Sequence, residues 1–131
     1  MLLPQEIIYR SAIPAIRYMI AKRLVEDYGM NQQQAAHILG VTQAAISNYL
    51  RRTRAIAINL NDCEEIRVSI EEVTKLLLKG GPDQPEVTEK IVYMCDHLRK
   101  NRMLCDFHKR LEPLYKIEKC HACDKPFIIQ N

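Results

Sequence analysis

Residues 32–51 read QQQAAHILGVTQAAISNYLR, and this stretch gives the clearest structural pattern in the chain. Ala36 is small enough to lie where two helices pack closely. Gly40 can adopt the positive φ that a tight turn between those helices requires. Ile46 and Leu50, four residues apart, place an apolar face on the second helix. The stretch therefore predicts a helix-turn-helix.

The outward face of this predicted helix pair is polar and is followed by arginines. Short amide and hydroxyl side chains hydrogen-bond base edges, and arginines bind phosphates. Two ordinary amphipathic helices would explain the apolar spacing but not so polar an outer face. The pattern therefore favours DNA binding, and the residues predicted from it to contact DNA are Thr42, Gln43, Ala44, Ser47, Asn48, Arg51, Arg52 and Arg54.

Composition limits the class of protein. A chain of 131 residues has room for one domain, or one domain with a small appendage. Its hydrophobic fraction of 47% and charged fraction of 27% are typical of globular proteins. No apolar run approaches the roughly 20 residues of a membrane span. The N-terminal segment MLLPQEIIYR also lacks the features of a signal peptide. We expect a cytoplasmic protein that does not bind membranes, and no small-molecule substrate is indicated.

Charge is distributed unevenly along the chain. Residues 1–60 contain seven Lys/Arg and three Asp/Glu, whereas residues 61–131 contain twelve and thirteen. The positive excess lies in the half that carries the predicted helix-turn-helix. Phosphate contacts would require this sign of charge there.

Apolar spacing predicts helices before and around the central stretch. A short helix should run from Leu3-Pro4 to about Ser11, and another from about Pro14 to Tyr28-Gly29. Asn31, with Gln34 three residues later, predicts a capping box, and Thr42 should cap the following helix. The apolar stripe of the second helix comprises Ile13, Ile16, Ile20 and Leu24.

The second half should contain two long helices. Asp62 is the predicted cap of the first, which ends at Gly80-Gly81-Pro82, and the second should span 85–101. Residues 53–61 break the helical period and are expected to form a loop, whereas 103–111 should add helical turns. Residues 115–129 favour a short β-hairpin. The stripes of the long helices are Ile66, Ile70, Val73 and Leu77 in the first, and Ile91, Met94, Cys95 and Leu98 in the second.

The predicted fold is mostly α. It comprises an N-terminal helix-turn-helix bundle, two further long helices and a small C-terminal β-hairpin that carries a metal knuckle. The corresponding regions are a DNA-binding domain at 1–60, a helical dimerisation or connector region at 61–102, and a metal-binding tail at 103–131.

The tail contains two ligand pairs, Cys105-x-x-His108 and Cys120-x-x-Cys123. Such pairs can supply the four tetrahedral ligands that zinc prefers, and Cys95 on the preceding helix is a further candidate. Replacing His108 by Cys95 gives four thiolates, which suit an iron–sulfur cluster as well as zinc. We expect one metal centre, with zinc favoured, an iron–sulfur cluster as the alternative, and no metal as the third possibility.

Cys63, His37 and His97 are not assigned to this centre, whereas His121 within the knuckle is a further candidate. Cys63 lies at a helix start beside acidic residues and is expected to be incidental. His37 and His97 lack partners at ligand spacing. Cys95 could equally be a small core residue.

The segment IPAIRYMIAKRLVEDYGMNQQQAAHILGVTQAAISNYLR, together with CDHLRKNRMLCDFHK and CHAC, resembles a family of archaeal XRE-type helix-turn-helix transcriptional regulators with a C-terminal cysteine-bearing tail. The resemblance implies that Thr42, Gln43, Ser47 and Asn48 read bases, and that Gln32 and Gln33 approach phosphate.

The chain departs from this family at two places. Val92 stands where such relatives would have another cysteine, which puts a five-cysteine cluster in doubt. Thr53-Arg54-Ala55 replaces a Lys/Arg-Gly turn, so that loop is expected to differ.

The sequence therefore predicts a sequence-specific DNA-binding transcriptional regulator, not an enzyme. We expect a homodimer on double-stranded DNA with a palindromic operator, because one recognition helix touches few base pairs. One alternative is a zinc-ribbon module that binds RNA or protein. The other is a Cys-x-x-Cys thiol oxidoreductase, although the βαβ unit that usually carries such a motif is missing.

Overall fold

The computed structural model describes residues 1–51, 60 and 62–124, and this part of the chain is predominantly helical. The α-helices are α1 (Pro4–Arg10), α2 (Ala12–Lys22), α3 (Gln32–Leu39), α4 (Gln43–Arg51), α5 (Glu64–Gly80), α6 (Pro85–Lys100) and α7 (Cys105–Leu111). A π-helical turn, Arg23–Asp27, continues α2, and a 3₁₀ turn, Ile117–Lys119, follows α7.

One aliphatic core joins α1 to α6 and extends to Leu104. The predicted stripe of α5 is buried in full, and so are Ile16, Ile20 and Leu24 from the second predicted helix. The predicted regions 1–60 and 61–102 both contribute residues to this core. The helix-turn-helix is therefore supported by the long helices. The boundaries of the three regions stay a prediction. The largest side chains that are less than 2% exposed are Ile16, Ile20, Leu24, Ile46, Ile66, Leu77, Met94, Leu98, Val73 and Thr74.

Two of the three predicted helix caps, at Asn31 and Thr42, are present. The Asn31 side chain accepts from the Gln34 N–H at 2.8 Å, and the Gln34 side chain accepts from the Asn31 N–H at 3.0 Å. Thr42 Oγ1 accepts from the Ala45 N–H at 3.1 Å. These bonds satisfy helix N–H groups that have no partner within the helix, so the starts of α3 and α4 are fixed locally.

Polar contacts join the segment before α3 to α5. Arg23 pairs with Asp27 at 2.9 Å and also with Glu71 of α5. The Tyr28 hydroxyl donates to the same Glu71 carboxylate at 3.3 Å. The connection that leads into α3 is therefore tied to the long helix behind it.

The start of α5 differs from the prediction. The N-cap position is occupied by Cys63, whose extended backbone (φ −99°, ψ 107°) precedes Glu64, rather than by Asp62. The predicted loop at 53–61 lies, apart from residue 60, outside the described residues.

The predicted C-terminal β-hairpin is not supported. Among residues 115–124, which are the described part of that prediction, there are turns and one 3₁₀ turn but no strand. The guanidinium of Arg102 donates to the carbonyl oxygens of Ile117 at 2.9 Å and Cys120 at 2.6 Å. These bonds hold the two carbonyl groups on the arginine side chain instead of on a neighbouring strand.

Within the described chain, every helix is too short or too polar to cross a membrane.

Candidate nucleic-acid interface

The helix-turn-helix consists of α3, the turn at 40–42 and α4. Gly40 has φ +73° and ends α3 in the left-handed conformation, as the sequence predicted. The Val41 N–H donates to the Ala36 oxygen at 3.0 Å, which closes the turn. Ala35 and Ala36 of α3 and Ile46 of α4 are buried. Small residues on α3 and one large residue on α4 therefore set how closely the two helices pack.

The turn is also packed against a distant part of the chain. A Cβ atom placed on Gly40 would lie 2.8 Å from the Pro82 Cβ, in the connection between α5 and α6. Position 40 therefore requires glycine for two independent reasons, a positive φ and a close contact. The sequence predicted only the first.

The predicted DNA-contacting residues form an accessible surface on α4 and at its start. Thr42, Gln43, Ala44 and Arg51 are exposed, while Ser47 and Asn48 are half-buried. On α3, Gln33 is exposed and Gln32 is half-buried. Arg52 and Arg54 lie outside the described residues. Ser47 and Asn48 are less accessible than Gln43, whose side-chain amide is exposed at the start of the helix.

The charge of this surface suits an anionic partner. Residues 32–51 contain no Asp or Glu, and Arg51 lies exposed at the end of α4. The Arg51 Nε donates to the Ser47 oxygen at 3.4 Å, so this side chain folds back along α4.

Sequence reasoning missed Arg17 as a neighbour of this surface. Arg17 is an exposed residue of α2, and its guanidinium lies 3.5 Å from the Tyr49 hydroxyl of α4. The positive charge of α2 is thus placed beside the second motif helix. No local pattern could reveal this, because the two residues are 32 positions apart.

A second candidate site lies in the tail, where four of the predicted metal ligands share one cavity. Cys105, His108, Cys120 and Cys123 line a cavity of about 150 Å³, together with residues of the N-terminal segment such as Leu3. Burial raises the pKa of the Cys105 and Cys123 thiols, and the neighbouring cysteines raise both pKa values further. Three thiols are therefore close enough to influence one another.

The cavity fits the predicted ligand set only in part. Cys95 does not line it and instead lies in the core at 8% exposure. His108 Nε2 is 2.7 Å from the Glu112 carboxylate, and the Tyr115 hydroxyl donates to Cys120 Sγ at 2.9 Å. Three cysteines are thus positioned around one space, and because Nε2 of His108 is held by Glu112, His108 would bind a metal through Nδ1.

Among the described residues, one group of potential ligands lies within coordination range of one another, and it is a different group: Cys63, Glu65 and His97. The sequence assigned no role to Cys63 or His97, because they are 34 positions apart and only the packing of α5 on α6 brings them together.

Residues 19–77 match the family model of Cro. These residues therefore resemble a Cro-type helix-turn-helix domain. The match begins within α2, includes α3 and α4, and ends within α5, so it covers the candidate interface. It supports a helix-turn-helix DNA-binding regulator. No curated protein and no solved structure matches the chain significantly. The finer resemblance to archaeal XRE-type regulators with a cysteine-bearing tail stays a prediction.

Proposed function

We propose that this protein is a sequence-specific transcriptional regulator that binds double-stranded DNA as a homodimer. The observation that carries the proposal is the exposed, acid-free surface of its Cro-like helix-turn-helix, with Gln43 at the start of α4. The proposal includes no catalysed reaction.

The start of α4 supplies the groups that read bases. In helix-turn-helix proteins, the N-terminal residues of the second helix contact base edges in the major groove. The exposed Gln43 amide can bond both N6 and N7 of an adenine. Thr42 lies beside it, with its oxygen engaged in capping α4, so its hydroxyl hydrogen remains the group for a base or phosphate contact.

Phosphate contacts surround this reading group. Gln33 on α3 and Arg51 at the end of α4 are exposed, and Arg17 extends the positive surface onto α2. Such contacts position the protein on the duplex and carry no sequence information themselves. They also make affinity fall as salt rises, because phosphate neutralisation releases counterions.

The homodimer follows from the small reach of one recognition helix. A two-fold dimer places two such helices on half-sites about 34 Å apart, so its operator is palindromic. The exposed apolar side chains of Val68 on α5 and of Val92 and Tyr93 on α6 support a dimer contact through the long helices. The same pair of helices is braced by the ion pair between Lys90 and Glu72 at 2.7 Å.

The metal centre belongs to the tail in this proposal. Cys105, Cys120 and Cys123 would supply thiolates, and His108 is the available fourth ligand. Zinc is favoured because a tetrahedral Cys₃His set is typical of its structural sites, and an iron–sulfur cluster is the alternative. When bound, the ion would order the tail, or would report metal or redox state to the DNA-binding half.

The decisive experiment is selection of DNA ligands by the full-length protein. Protein purified without oxygen or chelator is used to select duplexes from a random pool, followed by footprinting and light scattering of the complex. We expect a selected palindrome, two chains per duplex, and an affinity at fixed salt at least about 10³-fold above that for random duplex. Equal affinity for selected and random duplexes would overturn sequence-specific regulation, and preference for an RNA competitor would favour the RNA-binding alternative.

The tail centre is tested on the same preparation. Elemental analysis together with an absorption spectrum distinguishes zinc from an iron–sulfur cluster. Protein that contains neither, and whose tail remains ordered, would overturn the metal part of the proposal while leaving the DNA-binding part intact.

A further inference from the structure

Cys63, Glu65 and His97 converge where the start of α5 meets the last turns of α6. The Cys63 Sγ atom lies 3.6 Å from Glu65 Oε2 and 3.8 Å from His97 Nε2. The third side of this triangle, from His97 Nε2 to Glu65 Oε2, is 4.0 Å. One sulfur, one nitrogen and one oxygen atom therefore face one another.

These separations are close to those of a tetrahedral zinc site. With Zn–S near 2.3 Å and Zn–N or Zn–O near 2.1 Å, tetrahedral ligands stand about 3.6 Å apart when one is sulfur and about 3.4 Å apart when neither is. The two sulfur distances differ from this value by at most about 0.2 Å. The imidazole–carboxylate distance must shorten by about 0.6 Å, and the Glu65 side chain is 60% exposed and free to make that movement.

The surroundings orient the donors and leave room for an ion. Cys63 is 8% exposed, and the His97 side chain is 20% exposed. Asn101 lies on the far side of the imidazole, with its amide nitrogen 3.5 Å from Nδ1, so Nε2 is the atom directed at Cys63. All four residues line one open cleft of about 520 Å³, through which solvent reaches the donors.

The electrostatics favour a cation at this point. Hydrogen bonds from its own backbone N–H and from the Cys63 thiol lower the pKa of the Glu65 carboxyl, and His97 lowers it further. The Glu65 carboxylate faces both the Cys63 thiol and the His97 imidazole and adds an acidic group to the cleft.

We propose that Cys63, Glu65 and His97 form a metal site, separate from the tail cysteines, that binds a divalent cation of the zinc class. A thiolate and an imidazole select a borderline-soft ion over Mg²⁺ or Ca²⁺, which prefer oxygen ligands. Three protein ligands leave a fourth position for water. The ion would join the first residues of α5, which follow the segment after α4, to the end of α6.

The site is tested by cobalt titration of the full-length chain. Because the tail thiols also bind metals in the proposed function, the titration uses the Cys120→Ser/Cys123→Ser double variant, reduced, freed of metal and kept anaerobic. Co²⁺ should bind in one equivalent, with a thiolate-to-cobalt charge-transfer band and tetrahedral d–d absorption. Zn²⁺ should displace it.

Substitutions of the three proposed ligands, made in the Cys120→Ser/Cys123→Ser double variant, test which residues give rise to the cobalt absorption. Cys63→Ser should remove the charge-transfer absorption, and His97→Gln should weaken Co²⁺ and Zn²⁺ binding by more than about tenfold, since loss of even an outer partner of a metal ligand costs 10- to 100-fold. Glu65→Gln should weaken both ions, whereas its neighbour Glu64→Gln should not. His37→Gln is the matched control for the histidine.

Two results would overturn the proposal: no thiolate–cobalt band in the folded double variant, or a band that Cys63→Ser leaves unchanged. Circular dichroism establishes that each variant is folded. If the double variant does not fold, native mass spectrometry of zinc-loaded wild-type and Cys63→Ser chains replaces it. A difference of one ion supports the site, and equal ion counts reject it. DNA selection is independent of these readouts, so failure of the regulator proposal would leave this result standing.

Discussion

The helix-turn-helix and the cysteine-bearing tail are held in place by different kinds of interaction. In the former, Ala35, Ala36 and Ile46 are buried in the common core, and two local caps fix the helix starts. In the tail, no residue between 109 and 124 is buried. The position of α4 is therefore fixed by apolar packing, whereas the tail beyond α7 depends on polar contacts.

Arg102 and His108 supply part of the contacts that hold the tail. Arg102, itself at φ +59°, binds the carbonyls of Ile117 and Cys120 and the Asp124 carboxylate. The His108 ring stacks on Tyr115 with a centroid distance of 4.6 Å. A segment with so little buried surface gains stability readily from a bound ion, and this is why the two regions should respond differently to substitution.

The largest expected effect is in the helix-turn-helix, from Gly40→Val. A β-branched residue at φ +73° is strained, and its Cβ collides with Pro82. Together these effects should cost about 2–6 kcal/mol of folding free energy and abolish DNA binding. Denaturant unfolding and a gel-shift assay measure both.

Gly29→Val is the control for this change. Gly29 also has positive φ, at +67°, but nothing lies within 4 Å of a Cβ placed there. It should lose only the strain contribution, about 1–3 kcal/mol, and keep DNA binding. Equal losses at positions 40 and 29 would show that the contact with Pro82 has no role in placing the turn.

In the tail, Cys120→Ser should release one ion and disorder the segment. Amides of residues 112–124 should lose hydrogen-exchange protection, while those of residues 13–51 keep theirs, because the core does not include the tail. Cys95→Ala serves as the control and should retain the ion, since Cys95 does not line the tail cavity. Wild-type protein whose tail holds no ion but is still protected from hydrogen exchange would contradict a role for a metal in ordering the tail.

Substitutions on the DNA-binding surface should separate base reading from phosphate contact. Gln43→Ala should cost about 1–3 kcal/mol on the selected site and relax specificity at one position. Arg51→Ala should weaken binding to all duplexes similarly and reduce the slope of log affinity against log salt by about one. Binding curves on specific and random duplexes at several salt concentrations test this, and indistinguishable behaviour of the two variants would contradict the assignment.

The smallest expected effect is that of Arg102→Ala. Loss of its hydrogen bonds should lower the local stability of residues 115–124, and the effect should be small because the guanidinium is partly exposed to solvent. Hydrogen exchange should detect this opening, while the midpoint of global unfolding stays unchanged. Lys119→Ala is the control for loss of a nearby positive charge. A shift in the global midpoint would mean that the tail is part of the common core.

Much of the fold could be predicted because the relevant interactions are local. The stripe Ile66, Ile70, Val73 and Leu77 is buried as its spacing required. The Asn31–Gln34 capping box and the positive φ of Gly40 likewise involve residues within one turn of each other. The hairpin prediction failed for the opposite reason. The described residues 115–124 favour β-structure, but Arg102 binds the carbonyl groups of Ile117 and Cys120. Local propensity carries no information about a partner 15 to 18 positions away.

The sequence by itself determined the helix-turn-helix, its caps and its polar outer face, because these depend on residue type and on separations of three or four positions. Only the tertiary structure placed Pro82 against Gly40, Arg17 beside α4 and His97 next to Cys63. It also showed that Cys95 lies in the core and does not line the cavity of the tail thiols. Those relations depend on how the helices cross and pack, and side chains that are more than 30 positions apart have no spacing rule that brings them together.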